Sequence, residues 1–291
     1  MASGSWPSGE AGGSSAPAGG RSVEFVEVGE VQLAVEQAGD GDPPFLFVHG
    51  WASDRSVWSL QASNLTVDHR CISVDLRGCG ESPEALPCDV QTAADDLAVV
   101  LKELSPGPVI VAGHGLGGVV ALHLNYRHPE LVLGAVLGDS AIGNAEDGTA
   151  TAQAELAREI ESTASLEQAG PLIDRFFAAD TPTNVEAAVR ELVAGCPPSI
   201  AAGMLAEPDT AAQLDELIKA ADNKPFMVFW SERPRGDPVR LREVAIFLRQ
   251  EPIAASGHFF QLEQPDITNA LLRAFLDDVA HDPRVPMGEQ E

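Results

Sequence analysis

The chain has 291 residues, with 44 acidic side chains against 18 Lys and Arg and a formal net charge of -26 at pH 7. That length suits one α/β unit carrying an insertion. A field this negative repels nucleic-acid backbones and anionic lipid surfaces, so neither is expected as a partner, and the charge reads as a means of solubility.

Residues 1–22, "MASGSWPSGEAGGSSAPAGGRS", are mostly Gly, Ser, Ala and Pro. They hold too little apolar mass to offset ordering entropy and are expected to form a disordered lead outside the fold. Next come "VEFVEV" and "VQLAVEQ", whose alternating residues predict a hairpin, and "PFLFVHG", continuously apolar like a strand buried on both faces. A helix from about Val57 leads to "RCISVDLRG" at 70–78 as the next strand. In "VQTAADDLAVVLKEL" at 90–104, Ala94, Leu97, Leu101 and Leu104 recur at helical spacing. "PVIVAG" then predicts a strand, "LGGVVALHLNYRH" a helix and "LVLGAVLGDS" a strand. Strands alternating with amphipathic helices imply a parallel sheet with crossover helices.

Residues 142–200 depart from that rhythm with helix formers such as "TAQAELAREIES" and "VEAAVRELVAG", read as a small helical cap over the strand ends. The core, 23–141 before the cap, resumes over 201–280 with "AAQLDELIKAA" as helix, "PFMVFWS" and "EPIAAS" as strands and "ITNALLRAFLDDVA" as the closing helix. Residues 281–291 are expected to be a flexible tail. The four cysteines, Cys71, Cys79, Cys88 and Cys196, form no C-x-x-C pair, so free thiols in a reduced compartment are expected. No charged segment followed by an apolar one opens the chain and no apolar run reaches membrane-spanning length, which points to a soluble, cytoplasmic protein.

Three segments fall where ligands bind in such folds, at the carboxyl ends of strands: "VHGW" at 48–51, "GHGLGG" at 113–118 and "SGHFFQLEQPD" at 256–266; a fourth motif, "DLRGCGESP", lies at 75–83. In this order and spacing they make the chain resemble the α/β-hydrolase superfamily from about residue 23 to 280. The resemblance implies a mostly parallel central sheet with helices on both faces and a small helical cap. It also implies a nucleophile elbow of the form G-x-S-x-G, and here Gly115 stands where the serine should be. Glycine suits the left-handed backbone of such an elbow, so the turn is expected to survive without its hydroxyl. The implied oxyanion hole is made of the backbone N–H groups of Trp51 and Leu116, which need no particular side chain.

By the same resemblance His258 occupies the catalytic histidine position. Its orienting acid is left open. Asp237 takes the role if "PRG" in "WSERPRGDP" is an insertion, Asp139 in "VLGDS" is the other candidate, and Asp237 is slightly preferred. His49 and His114 fill motif positions that favour packing while remaining candidates for the substrate pocket, together with Trp51 and Phe259. Trp58 and Phe260 are further candidates for that wall, and Ser140 is expected to hydrogen-bond and not to attack.

The expected function is an enzyme acting on a small organic molecule without a serine nucleophile, with a His-Asp pair as general base and no cofactor or metal. Direct-water hydrolysis, cofactor-independent dioxygenation and lyase chemistry all fit. The alternatives are a non-catalytic ligand-binding member of the fold, or a serine esterase whose nucleophile has been replaced. Substrate identity and oligomeric state are not legible in the sequence.

Overall fold

A computed structural model describes residues 22–285 apart from 106 and 145. The predicted lead lies outside the described residues except Ser22, which begins the first strand, as does the predicted tail beyond residue 285.

The strands are β1 (Ser22–Val28), β2 (Val31–Ala38), β3 (Phe45–Val48), β4 (Cys71–Val74), β5 (Val109–His114), β6 (Val132–Gly138), β7 (Phe226–Trp230) and β8 (Arg249–Pro252). They form one eight-stranded sheet in the order β1-β2-β4-β3-β5-β6-β7-β8. The hairpin turns at Gly29, whose φ of +73° favours glycine, and pairs Val28 with Val31 and Val26 with Leu33. β2 runs antiparallel to β4, and every later pairing is parallel. The apolar run predicted as a doubly covered strand is just that: every residue of β3 is buried, as is every residue of β4, β5 and β7.

The core helices are α1 (Ser59–Leu65), α2 (Val90–Leu104) and α3 (Leu116–Arg127), and, after the insertion, α8 (Ala211–Ala221), α9 (Pro238–Val244), α10 (Phe260–Glu263) and α11 (Pro265–His281). α2, α3 and α8 pack in one group and α1, α10 and α11 in another, which covers both faces of the sheet. α2 spans the predicted 90–104 because Asp89 caps it, accepting from the amides of Gln91 and Thr92, while its stripe of Ala94, Leu97 and Leu101 is buried. α8 begins in a capping box between Thr210 and Gln213.

Two local expectations are corrected. The helix predicted from Val57 is a 3-10 turn at Arg55–Trp58 followed by α1, with Asp54 accepting from the Ser56 amide to start the turn. The final strand, predicted over "EPIAAS", ends at Pro252, and Ala255 then adopts a φ of +52° that turns the chain towards His258.

Between β6 and α8 lie α4 (Gly148–Thr163), α5 (Gly170–Asp174), α6 (Thr183–Gly195) and α7 (Pro198–Gly203). α7 runs past the predicted edge at residue 200 because Pro198, near its N-terminus, presets a helical φ and gives up no needed amide. α4 packs against α7, so this segment has its own helix contacts.

Candidate active site

Parallel strands deliver their carboxyl ends to one edge, and five of those ends build one cavity. β3 leads to Trp51, β5 to Gly115, β6 to Asp139, β7 to Arg235, and the turn after β8 to His258. All five residues line a cavity of about 510 Å³ together with side chains of α4, α5 and the segment after α5.

The elbow is tight. Gly115 has φ +54° and ψ -114° between β5 and α3, and its amide donates to Gly138 O on β6 at 2.7 Å. Behind it the helix approaches the sheet closely, since a Cβ on Gly117 would lie 2.5 Å from the carbonyl oxygens of Val48 and His49. A Cβ on Gly115 itself would meet only His258, 3.1 Å from Nε2 and 3.3 Å from Cε1. His258 Nε2 therefore faces the elbow. Leu116 opens α3, where a helix leaves its first amides without intrahelical partners, and Leu116 and Trp51 both border the cavity. The Trp51 indole donates to Ala201 O of α7 at 2.8 Å, which ties the strand end to the insertion.

His258 is held on several sides. Its Nδ1 lies 2.7 Å from Asp139 Oδ2. The Asp139 carboxylate is fully buried and also receives the Ser231 hydroxyl at 3.1 Å and the Ser231 and Arg235 amides at 3.4 and 3.3 Å. Asp139 itself has φ +46°, a conformation costing about 1–3 kcal/mol that survives only where the surroundings dictate it. These bonds favour the Nδ1–H tautomer and leave Nε2 free to accept a proton on the cavity side.

Phe176, from the segment after α5, stacks on the imidazole with centroids 4.8 Å apart, and its carbonyl accepts from His258 N at 2.6 Å. Gly257 permits this approach, because a Cβ there would lie 2.3 Å from Phe176 O. Nothing in the sequence marked Phe176, since periodicity inside an insertion does not say which residue reaches back to the sheet.

The preference for Asp237 as orienting acid is corrected. Its carboxylate accepts from the amides of Val239 and Arg240 and caps α9, so it is committed to a helix start. "D-P" followed by a short helix is a capping signal, and that reading of Asp237 was available in the sequence.

His49 is corrected as a pocket candidate. It is fully buried off the cavity wall, accepting from Leu76 N at Nε2 (3.0 Å) while Nδ1 faces Gly50 O (2.9 Å). Trp58 and Phe260 belong to the core, Trp58 donating to Val48 O at 3.1 Å. Ser140 is buried with no partner for its hydroxyl among the described residues, so the hydrogen-bonding role expected of it does not appear. Its Oγ would lie 2.0 Å from a Cβ on Gly118, on the helix side of the elbow.

His114 and Phe259 do reach the cavity wall. The His114 ring sits 4.4 Å from the His258 ring, centroid to centroid, with Nε2 2.9 Å from His258 O. Complete burial first, and then the neighbouring His258, hold His114 well below the usual histidine pKa. Its burial favours the neutral ring. Hydrogen bonding with Cys196 and then burial push the thiol of Cys79, in the loop after β4, well up, which disfavours its thiolate.

A sequence profile of the Alpha/beta hydrolase family matches residues 45–271. The chain belongs to this family. Among curated relatives, this alpha/beta hydrolase is 24% identical over 273 residues to the dihydrolipoyllysine-residue acetyltransferase component of an acetoin cleaving system from Pseudomonas putida, covering 90% of the chain and 68% of that protein. It is 35% identical over 113 residues to lipase LipV of Mycobacterium tuberculosis, covering 38% of the chain and 43% of the lipase. It is 38% identical over 85 residues to the pimeloyl-[acyl-carrier protein] methyl ester esterase of Neisseria meningitidis, covering 29% of the chain and 26% of the esterase. The chain thus spans less than half the length of the latter two.

Among solved structures, a malate-bound thermophilic esterase from Thermogutta terrifontis superposes with a TM-score of 0.76 at 23% identity, covering 90% of this chain and 99% of that one. An enol-lactonase from Burkholderia xenovorans LB400 superposes with a TM-score of 0.73 at 20% identity, covering 87% of this chain and all (100%) of that one. At these identities the likeness is one of fold. No helix among the described residues is long and apolar enough to cross a membrane.

Proposed function

We propose that the protein hydrolyses a small carboxylic ester or lactone by direct attack of water, with His258 as general base, Asp139 as its orienting acid and no acyl-enzyme. The observation that carries this reading is the His258 imidazole, tethered at Nδ1 to buried Asp139 and presenting Nε2 to the elbow at Gly115. The esterases, lipase and lactonase among its relatives support ester chemistry over the dioxygenase and lyase readings.

Water at the elbow gives its proton to His258 Nε2 as its oxygen bonds to the carbonyl carbon. The carbonyl oxygen becomes an oxyanion received by the amides of Trp51 and Leu116. Collapse breaks the carbon–oxygen bond of the ester, and the His258 imidazolium returns the proton to the departing alkoxide. Asp139 stabilises that imidazolium throughout. A general base of this kind contributes on the order of 10²–10⁴ in rate, and each oxyanion donor about 10²–10³. The helices after β6, residues 142–200 in the sequence reading, act as the cap that shapes the substrate's acyl side.

The test is turnover of a panel of 4-nitrophenyl esters and lactones in ¹⁸O-water under air, by the wild-type chain and by His258→Ala, with the intact protein mass recorded during turnover. Hydrolysis by the wild type alone, label in the acid product and an unmodified chain are expected. New oxygen taken from air would replace this reading with dioxygenation. A ligand retained by both proteins without turnover would replace it with a binding role.

A further inference from the structure

The cavity wall carries two arginines that form no ion pair among the described residues. Some arginines elsewhere pair with carboxylates, as Arg77 does with Asp96 at 2.6 Å and Arg127 with Asp95 at 2.6 Å, but none of those lines this cavity. Arg175 and Arg235 line the cavity, and among the described residues neither guanidinium has an ion-pair partner. Asp139, the acidic residue on this wall, is engaged with His258.

The two arginines flank the catalytic histidine through one ring. Arg235 lies in the loop after β7, its amide on Asp139 Oδ1 at 3.3 Å and its guanidinium over the Phe176 ring at 5.3 Å. Phe176 in turn stacks on His258, and Arg175 precedes it in the chain. Burial, and then the charge of Arg175, push the Arg235 guanidinium below its usual pKa, against the opposing pull of Asp139. Asp139 offsets the Arg235 charge only in part, and Arg175 is exposed, so an anion between the two guanidinium groups would meet two donors and add a second counter-charge.

We infer that Arg175 and Arg235 form an oxyanion subsite and that the substrate is an acid: an ester or lactone bearing a free carboxylate a few bonds from the scissile carbonyl. The inference rests on the hydrolase reading for its reaction, but not for its anion. Guanidinium forks match carboxylates by paired, charge-assisted hydrogen bonds. A cavity of about 510 Å³ suits a ligand of this size. A small cleft sharing Leu116 and Thr149 with the cavity bears Glu146, Asp147, Glu207 and Asp209. Their charge turns a carboxylate away from that side and towards the arginines.

The test compares kcat/KM for 4-nitrophenyl hydrogen glutarate and neutral 4-nitrophenyl pentanoate in the wild type, Arg175→Gln and Arg235→Gln, all shown folded by circular dichroism. Calorimetric titration with glutarate and with inorganic phosphate follows on the same three proteins. The wild type is expected to prefer the acidic ester, and each substitution to cut the acid-to-neutral ratio by roughly 10- to 100-fold, the worth of a charge-assisted hydrogen bond. Glutarate is expected to bind the wild type and to lose that binding in both variants. Equal use of both esters by the wild type, or a ratio untouched by the variants, overturns the inference and leaves hydrolysis standing. Arginine-dependent glutarate binding without turnover of any ester upholds the subsite while the hydrolase reading fails. Phosphate bound more tightly than glutarate overturns the carboxylate assignment.

Discussion

Among the described residues, two buried histidine–aspartate pairs occur at the same separation. His258 Nδ1 meets Asp139 Oδ2 at 2.7 Å, and His123 Nε2 meets Asp209 Oδ2 at 2.7 Å. The first sits at the carboxyl edge of the sheet, with its other nitrogen turned to the cavity beside Gly115. The second joins the middle of α3 to the residue before the Thr210 cap of α8, and His123 is not on the cavity wall. The contact alone therefore says little about chemistry. What separates the pairs is the open volume before His258 Nε2 and the elbow amides around it.

The sharpest break of this comparison is His258→Ala beside His123→Ala. Loss of His258 should reduce ester hydrolysis by on the order of 10²–10⁴ with the fold retained, as read by initial rates and circular dichroism. Full activity in that variant would remove His258 from the reaction. Substituting the acids sharpens the same point. Asp139→Asn should lower kcat by on the order of 10²–10⁴ by disturbing the tautomer. Asp237→Ala should leave kcat near wild type and cost about 1 kcal/mol of stability through the lost α9 cap. The reverse pattern would restore Asp237 as the orienting acid.

His123→Ala is expected to act on stability, by about 1–3 kcal/mol in chemical denaturation, because it strands a buried carboxylate. Its kcat should change little, and a large fall in kcat would erase the distinction between the two pairs.

A third histidine supplies a pH signature. Burial holds the His114 pKa below its unfolded value, so the unfolded chain binds a proton that the folded chain refuses. Stability should then be complete above about pH 6.5 and fall as pH drops below it, by at most about 1.4 kcal/mol per unit. Melts from pH 7.5 to 5 should show that slope in the wild type and a shallower one in His114→Phe. An unchanged slope would assign the acid sensitivity elsewhere.

The smallest expected effect concerns the elbow. Gly115→Ser introduces a side chain at φ +54° and a Cβ 3.1 Å from His258 Nε2. It should lower the melting temperature by about 2–4 °C for each kcal/mol of strain, of which about 1–3 kcal/mol is expected. An equal or higher melting temperature would contradict the strain argument. If the chain descends from a serine esterase, the same variant should gain a burst with activated esters.

Much of this was legible in the residues themselves. Alternation and continuous apolar runs mark β1 to β7 because burial on one or both faces is a local demand on each strand. α2 could be bounded because its cap and its stripe are both local. The elbow was readable at Gly115, since a backbone turn with positive φ leaves a mark in sequence as glycine. His258 was readable for its place in "SGHFFQLEQP", late in the chain after the last strand.

Tertiary structure alone decided which acid meets His258. Asp139 and Asp237 both follow strand ends, and only the packing of β6 beside β7 sets one under the imidazole while a helix start claims the other. The same holds for Phe176 on the histidine ring and for the two arginines around it. Their positions depend on how the insertion folds back over the sheet, a long-range arrangement that local periodicity does not encode.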